Sequence, residues 1–219
     1  MKFDIGSHAK GYALEDSDYD YIQIEPCTPA RFMDHVFERR RFKNNHTKDA
    51  DGNDVVMVNM FTALRGIYDG KFYYLGVFGC KREIIQDKRL YEFIRALTKA
   101  RLPLILKSMA DYAIHYRHLN KVKNLLAIFF NLSYINHCIT INGPPDDASK
   151  INEYILKDKL SLYNSLMSKR AQNVTNCNES EIAQIEKYKQ DTLETLLRIP
   201  MPGNSIEIEQ SIVNYMLDE

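Results

Sequence analysis

The chain has 219 residues, 45% of them apolar, and its 29 Lys+Arg balance 29 Asp+Glu. A neutral chain lacks the broad positive field that draws proteins onto nucleic acid without sequence preference, so a polynucleotide partner would need a local basic patch. Cys27, Cys80, Cys138 and Cys177 form no CxxC pair, which excludes a zinc knuckle and favours reduced thiols over a disulfide framework.

KFDIG at 2–6 reads as a short strand running into a Gly-Ser turn. DYDYIQI at 18–24 alternates in period two, which predicts a strand with Asp18, Asp20, Ile22 and Ile24 on one face. PARFMDHVFERRRF at 29–42 suits a helix with Pro near its start. KDADGND at 48–54 is a polar turn, VVMV at 55–58 a strand behind it, and MFTALRGIYDG at 60–70 a helix ending near Gly70. The second half reads as helical. RLYEFIRALTKARL, LILKSMADYAIHYRHLNKV and KNLLAIFFNLSYINHCI carry apolar residues at helical spacing. INGPPDD at 141–147 is a loop, and SKINEYILKDKLSLYNSLMSKR at 149–170 is an amphipathic helix. Asn178 or Ser180 ahead of Glu181 marks a capped helix start, and the tail is a Pro/Gly turn with a final short helix. The expected class is α+β: residues 1–100 form one domain with a small sheet, and 101–219 a helical domain. No run approaches the roughly 20 apolar residues of a membrane span, and LLAIFF at 125–130 reads as a core helix. MKFDIGSHAK has no apolar signal region, so the expected location is cytoplasmic, with no membrane partner.

The candidate chemistry lies near the amino end. Two carboxylates at i and i+2 of a strand have Cα atoms roughly 6.5–7 Å apart, close enough for their side chains to converge on hard cations. Magnesium takes oxygen ligands and is held by one or two carboxylates together with substrate phosphates. Gly6 permits close backbone approach after the first strand, Ser7 offers a hydroxyl, and amides at a helix start there would receive a phosphate. Lys10 lies in the same turn, either within reach of a phosphate or as a solvated lysine.

Gly6-Ser7, ten residues, then Asp18-Tyr19-Asp20 resembles the signature of the polymerase-β-like nucleotidyltransferase superfamily. The fuller stretch, with Gly6, Ser7, Ala9, Gly11, Asp16, Ser17, Asp18 and Asp20 in register, is most similar to its branch of predicted nucleotidyltransferases associated with RNA repair. The resemblance extends less sharply to DGNDVVMVNMFTALRGIYDG, LNKVKNLLAIFFNL and the charged C-terminal helix. It implies a nucleotidyltransferase fold, a small mixed sheet with flanking helices, followed by a helical bundle. It further implies that Asp18 and Asp20 bridge two Mg²⁺ (or Mn²⁺) ions, and that a third carboxylate ligates one ion and helps deprotonate an attacking hydroxyl. Asp49, Asp51 and Asp54 compete for that third place. Asp54 is preferred over Asp51 because VVMV follows it directly. Gly6 and Ser7 would hold the β,γ-phosphates of a nucleoside triphosphate such as ATP. The acceptor is then an RNA end, a protein hydroxyl or a small molecule. The alternative is a nucleotide- or RNA-binding module that keeps the fold without turnover.

Three further patterns have functional and plainer readings. Arg39-Arg40-Arg41 with Lys43 is either a phosphate-binding run or the wet face of a helix. Asp111, His115 and His118, at i, i+4 and i+7, have metal-ligand spacing or form a polar helix stripe. His137-Cys138 reads as core or boundary.

Overall fold

The computed structural model describes residues 1–26, 45–79, 85, 87–116, 118–199 and 206–217. The helix expected over 29–42, the basic run Arg39–Lys43, Cys27, Cys80 and the Pro/Gly turn at 200–204 lie outside the described residues.

Four short strands make a mixed sheet in the order β1-β2-β4-β3, with β1 at Lys2–Asp4, β2 at Asp20–Glu25, β3 at Asn45–Lys48 and β4 at Asp54–Asn59. β2 runs parallel to β4, and β1 and β3 are antiparallel outer strands. Ile22 and Ile24 alternate into the core, as their period-two pattern dictates. The strand begins at Asp20 rather than Asp18, so Asp18 precedes the ladder instead of sharing its face. β3, NHTK, is exposed at every position and carries no apolar alternation, so the sequence reading placed only a turn nearby.

Helix α1, Met60–Tyr68, starts where the Asn59 side chain accepts the Thr62 amide at 2.7 Å. A 3₁₀ segment, Phe72–Gly79, follows, with Tyr74 and Val77 fully buried. Helix α2, Lys88–Ala100, is capped by Asp87, and α3 spans Leu102–His115. Helix α4, Val122–Ile141, lies at the centre of the bundle, against α3, α5 (Leu160–Ala171) and α6 (Glu179–Leu196). A last helix, α7, spans Ile206–Leu217. The single helix expected over 149–170 is instead two 3₁₀ turns, Ile151–Glu153 and Lys157–Lys159, ahead of α5. The chain breaks because Leu156, with ψ 136°, is extended.

Alone among the described residues, α4 is long and apolar enough to cross a membrane, with mean hydropathy 1.3. Its interleaved Asn131, Ser133 and Asn136 interrupt any continuous apolar run, so the sequence showed no span there. Within the fold it is a core helix: Leu125, Ile128, Phe129 and Tyr134 are all at 0% exposure. Each fully buried Leu, Ile or Phe contributes about 1.5–3 kcal/mol. The buried side chains of both halves, from Phe3 to Tyr215, join in one core. Between α5 and α6, Glu181 completes a capping box with Asn178 and accepts from Lys169 (2.6 Å) and Ser165 (2.8 Å). That one nearly buried carboxylate caps α6 and fastens it to α5.

Candidate functional site

The first loop is built around Asp4. Its Oδ1 accepts the Gly6 amide at 2.7 Å, and the Ala9 amide also favours its charged form. Burial pushes the Asp4 carboxyl up in pKa; those amides and His8 pull against it without reversing the shift. Ser7–Gly11 is a string of turns, closed by Tyr12 N to Ser7 O at 3.1 Å, and not the helix start expected after Gly-Ser. The Gly6 amide is therefore engaged by Asp4, while Ser7 and Lys10 line the cleft.

Gly6 has a steric reason to be glycine. A Cβ there would lie 2.5 Å from Asp20 Oδ2 and 2.9 Å from Asp20 Cβ, inside any tolerable contact. The Gly-Ser turn and the second aspartate, fourteen positions apart in the sequence, are thus packed face to face. Gly11, at φ +71°, is similarly hemmed in, because a Cβ would overlap the Ser149 carbonyl oxygen.

Asp18 is positioned by its neighbour. Ser17 Oγ accepts the Leu14 amide at 2.8 Å and an Arg170 Nη2 donor at 3.3 Å, while its carbonyl bonds His8 Nε2 at 2.9 Å. On the other side, Tyr19 stacks on His8 at 3.8 Å and 8°. Asp54 is positioned by Asp49, which accepts from the Asp51 and Asn53 amides, the Asn53 side chain and Lys2 Nζ. The Lys2 contact leads the causes that depress the Asp49 carboxyl to about 2. Asp49 is thus the organiser of the turn, whose exposed tip contains Asp51. Asp54 opens β4 directly opposite Asp20 of the parallel β2.

Asp18, Asp20 and Asp54 can each offer an oxygen such that all three lie within 4.8 Å of one another. At that distance two full charges repel by about 1 to 3.5 kcal/mol, between the dielectric of water and an effective value of 20. Burial, then Asp18, then Asp54 raise the Asp20 carboxyl, against the pull of Lys123 and Lys10. Among the described residues Asp54 pairs with Lys48, at 3.2 Å on the exposed edge.

These carboxylates line a cleft of about 240 Å³ together with Gly6, Ser7, Lys10, Lys123 and Arg170. The sequence reading missed Lys123 and Arg170, which come from α4 and α5. Arg170 ends SLMSKR, where a basic residue suits any helix C-terminus, and Lys123 resembles any wet lysine. Arg170 lies over the Tyr12 ring at 5.4 Å, and its Nη1 is buried without a hydrogen-bond partner. A buried unmet donor costs about 1–3 kcal/mol, more when charged. Burial also lowers the pKa of the Lys10 amine, with Asp20 and Asp4 opposing.

The remaining candidates do not assemble. Helix α3 ends at His115, so His118 leaves its face, and Asp111, His115 and His118 form no ligand cluster among the described residues. His137 stacks on Tyr154 at 4.4 Å, and Cys138 is buried in the core.

No family model matches the sequence, and no solved structure matches it. The chain is similar to Protein Early 65 kDa of Autographa californica nuclear polyhedrosis virus, 37% identical over 155 residues. The alignment covers 68% of this chain and 27% of that protein, so the chain spans about a quarter of the length of the curated relative it matches.

Proposed function

We propose that the chain is a divalent-metal-dependent nucleotidyltransferase of the polymerase-β-like kind, with its nucleotidyltransferase fold formed by the mixed sheet and flanking helices. One observation carries the reading: Asp20 and Asp54 face each other across parallel strands, with Asp18 beside them and Gly6 packed on Asp20. The donor set fits Mg²⁺ or Mn²⁺, being three carboxylates with mutual repulsion and hard oxygen atoms. When bound, such ions supply charge neutralisation at the leaving pyrophosphate and acidify the attacking hydroxyl.

The chain's own residues do the rest. Ser7, Lys10 and Arg170 offer a hydroxyl, an ammonium and a guanidinium to the triphosphate of ATP or another nucleoside triphosphate. An acceptor hydroxyl oxygen bonds the α-phosphorus, the bond from that phosphorus to the pyrophosphate oxygen breaks, and an Asp54 oxygen takes the hydroxyl proton. Catalysis is then mainly positioning and electrostatics.

The test is incubation with α-labelled triphosphates, Mg²⁺ or Mn²⁺, and a pool of RNA and protein. Labelled acceptor and released pyrophosphate are expected. Full transfer by the double variant Asp18→Asn/Asp20→Asn would remove the assignment. The Lys48 ion pair on Asp54 favours a second reading, a nucleotide- or RNA-binding module without turnover, because that contact competes for the third carboxylate. Calorimetric binding of Mg·ATP without pyrophosphate release would select it.

A further inference from the structure

Beside the acidic cleft lies a second pocket of about 480 Å³, and Lys123 and Arg170 line both. The second pocket contains none of Gly6, Ser7, Lys10 or the three carboxylates; it opens on the side of Asp16 and Ser17. Lys121 joins Lys123 and Arg170 there, so three cations face one rim carboxylate, Asp16. Among the described residues Lys121 donates to an amide oxygen, of Asn176, at 3.2 Å. The wall is fixed: Lys121 and Asn176 form a β-bridge, flanked by Val122 N to Thr175 O at 3.0 Å and Cys177 N to Asn120 O at 2.9 Å.

We propose that this pocket seats the acceptor, and that the acceptor carries its own phosphate ester near the hydroxyl that is attacked. This rests on the transferase reading above. Two ammonium side chains and a guanidinium side chain on one pocket lining match the several oxygens of a phosphate. The volume exceeds what a bare anion needs and suits a nucleotide-sized group. A plain protein hydroxyl brings no negative charge to this cationic lining. Because Lys123 and Arg170 border both spaces, a hydroxyl next to the bound phosphate is delivered toward the carboxylates.

The experiment measures binding to the full chain by calorimetry at two salt concentrations. The probes are adenosine, adenosine monophosphate, a short single-stranded oligonucleotide with a free terminal hydroxyl, and Mg·ATP. A phosphate-bearing probe is expected to bind, with salt dependence, where adenosine does not. Lys121→Glu should weaken that binding by about tenfold or more while leaving Mg·ATP binding unchanged. Asp20→Asn should leave it intact. Lys121→Gln, with a smaller loss, serves if the reversal unfolds the chain. Preference for the monophosphate names a free nucleotide as the source, and preference for the oligonucleotide names a strand end. No phosphate-dependent binding, or equal loss of Mg·ATP binding in Lys121→Glu, overturns the proposal. If the phosphate ester binds in a Lys121-dependent way but no triphosphate does, the pocket stands and the transferase reading falls.

Discussion

Replacing Gly6 by Ala tests the link between the amino-terminal turn and the second aspartate. The new Cβ would stand 2.5 Å from Asp20 Oδ2 and 2.9 Å from Asp20 Cβ. The carboxyl must swing away, or the strands must part. Forcing a methyl into a filled space costs about 1–3 kcal/mol, and the stiffer unfolded chain returns about 0.4–1 kcal/mol. The net loss is at most about 2.6 kcal/mol, and at about 2–4 °C per kcal/mol the melting temperature falls by a few degrees. The effect on transfer is disproportionate. A carboxylate displaced by about 1 Å from its partners costs about a hundredfold in rate. The assay is pyrophosphate release with Mg·ATP and acceptor, alongside a thermal melt and a metal titration. Gly6→Ala should melt nearly as the parent does, yet lose about a hundredfold in activity and need more metal. Parent-like turnover and metal dependence would refute the claim that this contact aims Asp20.

Asp18→Asn and Asp20→Asn should each lower transfer by about a thousandfold or more, about 4 kcal/mol, with an unchanged or raised melting temperature because a repulsion is relieved. Lys10→Met should raise the KM for Mg·ATP by about ten- to a hundredfold, the worth of one charge-assisted hydrogen bond, with little change in melting; an unchanged KM would remove Lys10 from the triphosphate site. Glu181 sets an acid limit on stability. Burial pushes its carboxyl up, but Lys169, the Asn178 amide and Ser165 outweigh that and hold it below the ordinary 4.5. A depressed carboxyl stabilises the fold above about pH 4.5, and that contribution fades as pH falls through the lower folded value. Glu181→Gln should therefore cost about 1–3 kcal/mol at pH 7, Lys169 being partly exposed, and melts of variant and parent should converge in acid. A gap that stays constant down to pH 3 would contradict the assignment.

The parts of the site that were legible in the sequence are those whose cause is local. Ile22 and Ile24 alternate, so β2 could be placed and Asp20 set at its head. VVMV made β4 visible, and with it the preference for Asp54 over Asp51, which the structure leaves at the turn tip. Asp18 was misread as strand because an alternating acid cannot be told from a loop acid without its ladder partner. β3 was illegible because an exposed outer strand needs no apolar face. The Gly-Ser turn leads into the string of turns Ser7–Gly11 and not into a helix, although Asp4 accepts the Gly6 amide as an N-cap would. Lys123 and Arg170 were invisible for another reason: nothing in their own surroundings distinguishes them, and only the folded chain brings α4 and α5 to the cleft that the acids line.

The hydrogen bond between Ser17 and Arg170 spans 153 positions of the chain. It cannot close during synthesis until α5 has emerged and docked. A nascent amino-terminal half would hold its acidic trio with neither of those two later cations nearby. Completion of the cleft is therefore a late event in the life of each molecule, and a chain cut short before residue 170 would lack the guanidinium that braces Ser17.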